Sequence, residues 1–118
     1  NHPYNTWSQD QKDAAEMKYG KVIDCSFPSV PSDAGTEDID TLSTAYCREL
    51  QVLIKELGAE ACAIVHLMGE FTFTFALTNK LKKSGIVVVA STSERNTMIN
   101  ADGSKQSYFK FIQFREYT

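Results

Sequence analysis

Short apolar runs alternate with longer amphipathic segments along the chain, and this alternation predicts a mixed α/β fold. Residues 86–90 are all apolar and mostly β-branched, which is typical of a strand buried on both faces. Residues 61–68 are apolar except for His66 and predict a second buried strand, and a shorter strand is predicted over residues 21–25. The polar residues 91–95 follow the first of these runs directly, so we interpret them as a loop at the carboxyl end of a strand.

Three segments have helical spacing. The clearest covers residues 36–57, where apolar side chains recur every three or four positions and acidic residues occupy the first turn. Residues 71–83 begin with a Phe-Thr alternation that is also compatible with a strand, but the length and the basic end of the segment favour a helix. A first helix is predicted to end at Gly20, with Thr6 or Ser8 as its cap.

Two breaks in these patterns predict a loop and a hairpin. Residues 27–32 hold two prolines and small polar residues, which is typical of a loop, and we expect its Phe and Val to pack under the next helix. An Asp-Gly pair separates residues 96–100 from residues 106–115, which is a strong hairpin signal. The second arm is apolar on both faces, which favours burial against the rest of the chain or against a second copy.

The order of elements predicts an α/β, Rossmann-like fold with a mostly parallel sheet flanked by helices and a C-terminal β-hairpin. A chain of 118 residues is suited to one domain with one core, here residues 1–118. Because a βαβ order requires a strand before the first helix, we expect one to precede residue 1. Asn1 and His2 would then lie at the carboxyl end of that strand.

Charge and composition narrow the classes of partner. The net charge is −3, and the twelve Lys and Arg residues form no basic stripe, which disfavours long DNA or RNA and leaves a small anionic ligand open. No apolar run approaches the roughly 20 residues that cross a bilayer, so no membrane association is expected. Three widely spaced cysteines predict reduced, mostly buried thiols in a cytoplasmic protein. With only two histidines, we expect no metal site. We also expect no cofactor.

Several short motifs occur in an order that resembles the small stand-alone CRISPR-associated ring nucleases, relatives of the CARF domain. The resemblance depends chiefly on residues 66–117. The motifs are Asn1-His2 before a capped helix, Met68-Gly69-Glu70-Phe71-Thr72, Ala90-Ser91-Thr92-Ser93-Glu94-Arg95, the Asp102-Gly103 hairpin, and Phe109-Lys110-Phe111-Ile112-Gln113-Phe114-Arg115-Glu116-Tyr117.

This resemblance implies a Rossmann-like, CARF-type homodimer that binds cyclic oligoadenylate, usually cyclic tetra-adenylate, in a two-fold pocket between the copies. It also implies that the ring is linearised without a metal. A ribose 2′-OH attacks its own phosphate and leaves a 2′,3′-cyclic phosphate, which switches off the nucleases of type III CRISPR antiviral defence. The chain would then be a hydrolase-like nuclease that ends the signal.

Such a reaction requires in-line positioning, stabilisation of the phosphate charge and proton transfer. Arg95 is the candidate for charge stabilisation, because a guanidinium grips two phosphate oxygens at once; a salt bridge to a nearby glutamate is the alternative. Glu70 is a candidate base or ribose ligand, or else a carboxylate that stabilises a helix N-terminus. His2 is a candidate acid or base, or else a solvated residue near the chain end.

Further residues are candidates for ligand binding, each with a structural alternative. The three hydroxyl residues of the polar loop suit phosphate or ribose oxygens, or else ordinary turn chemistry. Cations on the hairpin could reach phosphates across a dimer, or else be solvated surface charges. The candidates are Asn1, Gly69, Phe71, Thr72, Ser91, Thr92, Ser93, Lys105 and Arg115.

Two other functions stay open on the sequence alone. A non-catalytic sensor would bind the ring with the same residues and signal by conformation, although we expect no effector domain for it to regulate. Another small nucleotide-binding α/β protein, of the flavodoxin type, is the second alternative. Against that alternative, neither Gly-x-Gly-x-x-Gly nor P-loop spacing occurs.

Overall fold

The computed structural model describes residues 2–118 and places three α-helices and three β-strands among them. In chain order these are a 3₁₀ turn Tyr4–Thr6, α1 Gln9–Tyr19, α2 Thr36–Glu56, β1 Ile64–His66, α3 Phe71–Lys83, β2 Val87–Ile99 and β3 Lys105–Glu116. The strand order is β1-β2-β3, with β1 and β2 parallel and β3 joined to β2 by a tight turn. The predicted mixed α/β class is confirmed.

The chain divides into two compact units. The first holds Cys25–Ala90 and Glu116–Thr118, and the second holds His2–Asp24 and Ser91–Arg115. Strand β2 contributes its first four residues to the first unit and the remainder to the second.

The first unit is built on a β-α-β segment. Strands β1 and β2 pair in parallel, with Val65 opposite Val88, and α3 connects them. Helix α2 packs against α3. The buried core of this unit comprises Ile39, Cys47, Leu67, Phe73, Leu77, Leu81 and Val88. A short parallel pair covered by two amphipathic helices is the expected way to bury such continuous apolar runs.

The ring of Phe73 lies at the centre of this core. It is fully buried and meets the rings of Phe27 and Tyr46 edge-on, at centroid distances of 5.2 Å and 5.4 Å. Edge-to-face contacts at such distances suit the quadrupoles of aromatic rings. Phe27 and Val30 come from the proline-containing loop and pack on the core, which confirms the prediction for that loop.

Tyr117 ties the end of the chain into the first unit. Its N–H donates to the Val88 carbonyl at 2.9 Å, and its hydroxyl donates to the Leu67 carbonyl at 2.7 Å. Desolvation by burial raises the pKa of this phenol above its ordinary value, so the hydroxyl stays protonated as a donor.

Local sequence signals set the helix ends much as predicted. Ser8 is the cap of α1, and its hydroxyl accepts the N–H of Gln11 at 3.3 Å. Helix α2 begins after Gly35, whose N–H donates to the Asp38 carboxylate at 2.9 Å. The bounds of α3 match the prediction, so its length and basic end outweighed the strand-like alternation at its start.

The second unit pairs a long hairpin with α1. Phe114 of β3 is buried, and its ring lies 6.1 Å from that of Trp7 and 5.6 Å from that of Tyr19. At the hairpin turn, the Asp102 carboxylate accepts the N–H of Ser104 at 2.9 Å. The predicted Asp-Gly hairpin is therefore confirmed.

Three local predictions were wrong. Residues 21–25 form no strand, and β1 covers only Ile64–His66 of the predicted residues 61–68. Residues 91–95 are not a loop, because β2 continues through them as far as Ile99. Their pairing with β3 supplies the backbone hydrogen bonds that a polar stretch would otherwise find in water.

Two further expectations concern the burial of the cysteine thiols and the absence of membrane-spanning segments. Cys47 is buried, but Cys25 and Cys62 are exposed, so the prediction of mostly buried thiols was wrong. Within residues 2–118, no helix has both the length and the apolar composition that spanning a lipid bilayer requires.

We expect Phe73→Ala to lower the free energy of unfolding by about 3–5 kcal/mol, because it opens a cavity where two other rings meet. The matched control is Phe75→Ala on the same helix, whose side chain is 71% exposed. It should change stability by no more than about 0.5 kcal/mol. Urea denaturation of both variants measures the difference, and equal losses would contradict the assigned core.

Candidate functional site

The candidate residues identified from the sequence divide between the two units. Gly69–Thr72 belong to the first unit, at the junction of β1 and α3. The residues at 91–95, together with His2, Lys105 and Arg115, belong to the second. Asn1 lies outside the described residues.

Glu70 is the N-terminal cap of α3. Its carboxylate accepts the backbone N–H of Thr72 at 3.0 Å and that of Phe73 at 2.8 Å, and it accepts the Thr72 hydroxyl at 2.7 Å. The hydrogen bond from the Thr72 hydroxyl, followed by those from the two backbone N–H groups, lowers the pKa of Glu70 below its ordinary value. The carboxylate is therefore ionised and already occupied, which matches its structural alternative and makes it a weak proton acceptor.

Gly69 and Phe71 flank this cap with opposite roles. A Cβ at Gly69 would lie 2.3 Å from the Phe27 ring, so glycine is required there for the loop to pack. The Phe71 side chain is 89% exposed on the first turn of α3. Phe71 is therefore the apolar side chain at this junction that is open to a ligand.

Two of the three hydroxyls expected to bind a ligand make structural hydrogen bonds in the second unit. The Ser91 hydroxyl accepts from the Gln11 side-chain amide of α1 at 2.9 Å. The Thr92 hydroxyl bridges to the neighbouring strand, accepting the Gln113 N–H at 3.2 Å and donating to its carbonyl at 3.3 Å. Ser93 is exposed. The third hydroxyl is thus the most accessible of the set.

Arg95 is exposed on β2, and a neutral partner positions it. Its guanidinium donates to the Ser107 hydroxyl on β3 at 3.3 Å. Within residues 2–118 no carboxylate forms a salt bridge with Arg95, so the alternative of an ion pair with Glu94 or Glu116 is not realised. An arginine held by a hydroxyl keeps its full charge available for an anion.

The other ionisable candidates of the second unit are exposed as well. His2 is anchored through its backbone, since its carbonyl accepts the Trp7 indole N–H at 2.9 Å, and its imidazole is on the surface. Lys105 and Arg115 lie exposed near the two ends of β3. The candidate residues of the second unit are therefore an exposed arginine, two further cations and an imidazole.

Sequence reasoning missed Ser107, the residue that positions Arg95. The signal for it exists, because Asp102-Gly103 fixes a hairpin and a hairpin brings residues after the turn beside those before it. The strand register that brings Ser107 within reach of Arg95 depends on the geometry of the turn, which the Asp-Gly signal alone does not specify.

We expect Glu70→Gln to be less stable than the wild type near neutral pH and to approach it in acid. The lowered pKa means that ionised Glu70 stabilises the fold above the unfolded-state value of 4.5. That stabilisation is lost as the pH falls through the lower folded-state pKa. Denaturation midpoints across the acidic range measure it, with Glu60→Gln in an exposed turn as control. A deficit in Glu70→Gln that persists unchanged in acid would assign the loss to packing instead of charge.

A comparison with protein families covers nearly the whole chain. Residues 1–115 match the family described as "Uncharacterized protein MJ1673 family". No curated protein and no solved structure gives a significant match. The match includes the candidate residues of both units. The chain therefore belongs to the MJ1673 family.

Proposed function

We propose that the protein is a metal-independent ring nuclease that binds cyclic oligoadenylate, with cyclic tetra-adenylate as its preferred ring, and linearises it. In this proposal it acts in the cytoplasm as a homodimer of Rossmann-like, CARF-type chains and ends type III CRISPR signalling. The resemblance in the sequence motifs suggests this function.

The observation that carries the proposal is the state of Arg95. Phosphodiester cleavage by an internal 2′-OH needs a cation that faces the phosphate and is not neutralised by the protein. Arg95 is exposed, donates to the neutral Ser107 hydroxyl and has no salt-bridge partner within residues 2–118. A surface arginine with a structural role alone would more commonly face a carboxylate.

The β-α-β segment of the first unit supports the finer fold assignment. Parallel β1 and β2 joined by α3 form the repeating element of Rossmann-like sheets. Ligands of such folds bind beyond the carboxyl ends of the strands, and the exposed Phe71 lies just beyond β1.

The chemistry would proceed as an in-line transesterification. The 2′-OH oxygen bonds to phosphorus while the bond from phosphorus to the 5′ oxygen breaks, giving a 2′,3′-cyclic phosphate and a 5′-OH. The proton released by the 2′-OH passes to the imidazole of His2 or to water, and the 5′ oxygen takes up one proton. Arg95 stabilises the charge on the non-bridging oxygens. Because Glu70 is engaged as a cap, we expect slow cleavage that depends on positioning of the 2′-OH and on stabilisation of the phosphate charge.

A second candidate function is a sensor that binds the ring without cleaving it. The engagement of Glu70 favours this alternative, because it removes the carboxylate best suited to act as a base. The two functions share a ligand and differ in the fate of the ring.

The first test is to incubate the protein with cyclic tetra-adenylate in EDTA and to resolve the products by chromatography. We expect linear products that end in 2′,3′-cyclic phosphate. We expect Arg95→Ala to reduce the single-turnover rate by about 100-fold, the range seen when one charge-stabilising donor is removed. Arg95→Lys should retain an intermediate rate, since a lysine keeps the charge but loses the two-pronged contact.

The matched control is Lys83→Ala, which removes an exposed cation at the end of α3. It should leave the rate unchanged. Intact ring that co-elutes with the protein would favour the sensor, whereas neither binding nor cleavage of any ring size would refute both functions. His2→Ala and Glu70→Ala are then compared in two measurements. A variant that removes a proton-transfer group should change the pH–rate profile, whereas one that removes only a helix cap should change stability alone.

A further inference from the structure

Both faces of the hairpin carry exposed large apolar side chains, and the two most exposed of them lie on one face. Phe109 on β3 is 72% exposed and Ile99 on β2 is 74% exposed. An exposed aromatic ring on a strand has a flat surface on which a planar group can stack. This exposure distinguishes Phe109 from Phe114 on the same strand, which packs against α1 residues and is buried.

The arginine of the candidate site lies on this same face. Side chains alternate along a strand, so Ser107 and Phe109 share one face of β3, as Arg95 and Ile99 share one face of β2. The hydrogen bond from Arg95 to Ser107 joins the two sets. We call the surface formed by these four residues the Phe109 face. The same alternation adds Lys105 to it.

The charges of the hairpin differ between its two faces. Between residues 94 and 110, alternation places Arg95 and Lys105 on the Phe109 face with no acidic strand residue. The opposite face carries Glu94 as well as Lys110. At the turn, Asp102 is held by hydrogen bonds from Ser104. The Phe109 face is therefore apolar and cationic, which complements a ligand of flat bases and anionic phosphates.

We propose that the Phe109 face is a stacking platform for an adenine base of an oligoadenylate, with Arg95 gripping the adjoining phosphate. Bases stack on exposed aromatic rings of β-strands, and a nearby guanidinium pairs with the phosphate. The choice of adenylate rests on the proposed function. The platform adds to that function by naming Phe109 as a binding residue.

The test is the affinity of the protein for linear tetra-adenylate, a probe that needs no ring and no cleavage, measured by calorimetry in EDTA. We expect Phe109→Ala to weaken binding about tenfold, at the lower end of the effect of removing one stacking ring. Phe109→Trp should restore or strengthen binding, and its added indole fluorescence should be quenched by the stacked base. Because the ring is largely exposed, the thermal melts of the variants should match that of the wild type.

The matched control is Tyr108→Ala, which removes a partly exposed aromatic ring from the opposite face of the same strand. It should bind tetra-adenylate like the wild type. An equal loss in Tyr108→Ala and Phe109→Ala would overturn the platform. Unchanged affinity in Phe109→Ala would also overturn the platform. If that variant binds normally but loses self-association in sedimentation, the ring belongs to a contact between copies instead.

The outcomes separate this inference from the proposed function. If the wild type cleaves cyclic tetra-adenylate and Phe109→Ala does so with undiminished affinity, the function stands and the platform fails. If no ring is bound or cleaved, the function fails. In that case tetra-adenylate binding that depends on Phe109 supports the platform, and absence of such binding overturns it.

Discussion

The packing of Phe73 is the interaction on which the first unit depends. Its ring brings together three segments that are far apart in sequence: the proline-containing loop through Phe27, helix α2 through Tyr46, and its own helix α3. Since Phe27 also fills the space above Gly69, this cluster fixes the point where β1 turns into α3. The geometry of that junction is thus a consequence of core packing as much as of local turn chemistry.

The junction shows how a sequence motif can carry a structural role where a catalytic one is expected. Glu70 satisfies the N–H groups at the start of α3, which would otherwise bind an anion. A phosphate approaching this helix would have to displace a carboxylate that belongs to the chain. In the proposed function, anion binding therefore depends on side chains of the hairpin, where Arg95 is held by a neutral hydroxyl.

A structural element could be predicted from the sequence where the residues that determine it are close together in the chain. Ser8, Asp102-Gly103 and the spacing in α2 and α3 each act within a few residues, and the elements they predict are present. Residues 91–95 were misread as a loop because their order comes from partners about twenty residues away, such as Gln113 with Thr92. Residues 21–25 have strand-like composition but pair with no strand. In the candidate site, Arg95 could be predicted as a residue type, whereas its anchor Ser107 depends on hairpin register.

The place of β3 at the end of the strand order has a consequence for how copies of the chain meet in solution. An edge strand offers open backbone groups to any other strand, and apolar edges are prone to uncontrolled association. Lys105, Lys110 and Arg115 recur at every fifth position of this strand. A second β3 that approached this edge would bring like charges together, so the strand resists sheet extension while keeping its faces apolar. The same cations that suit a phosphate thus also act against aggregation.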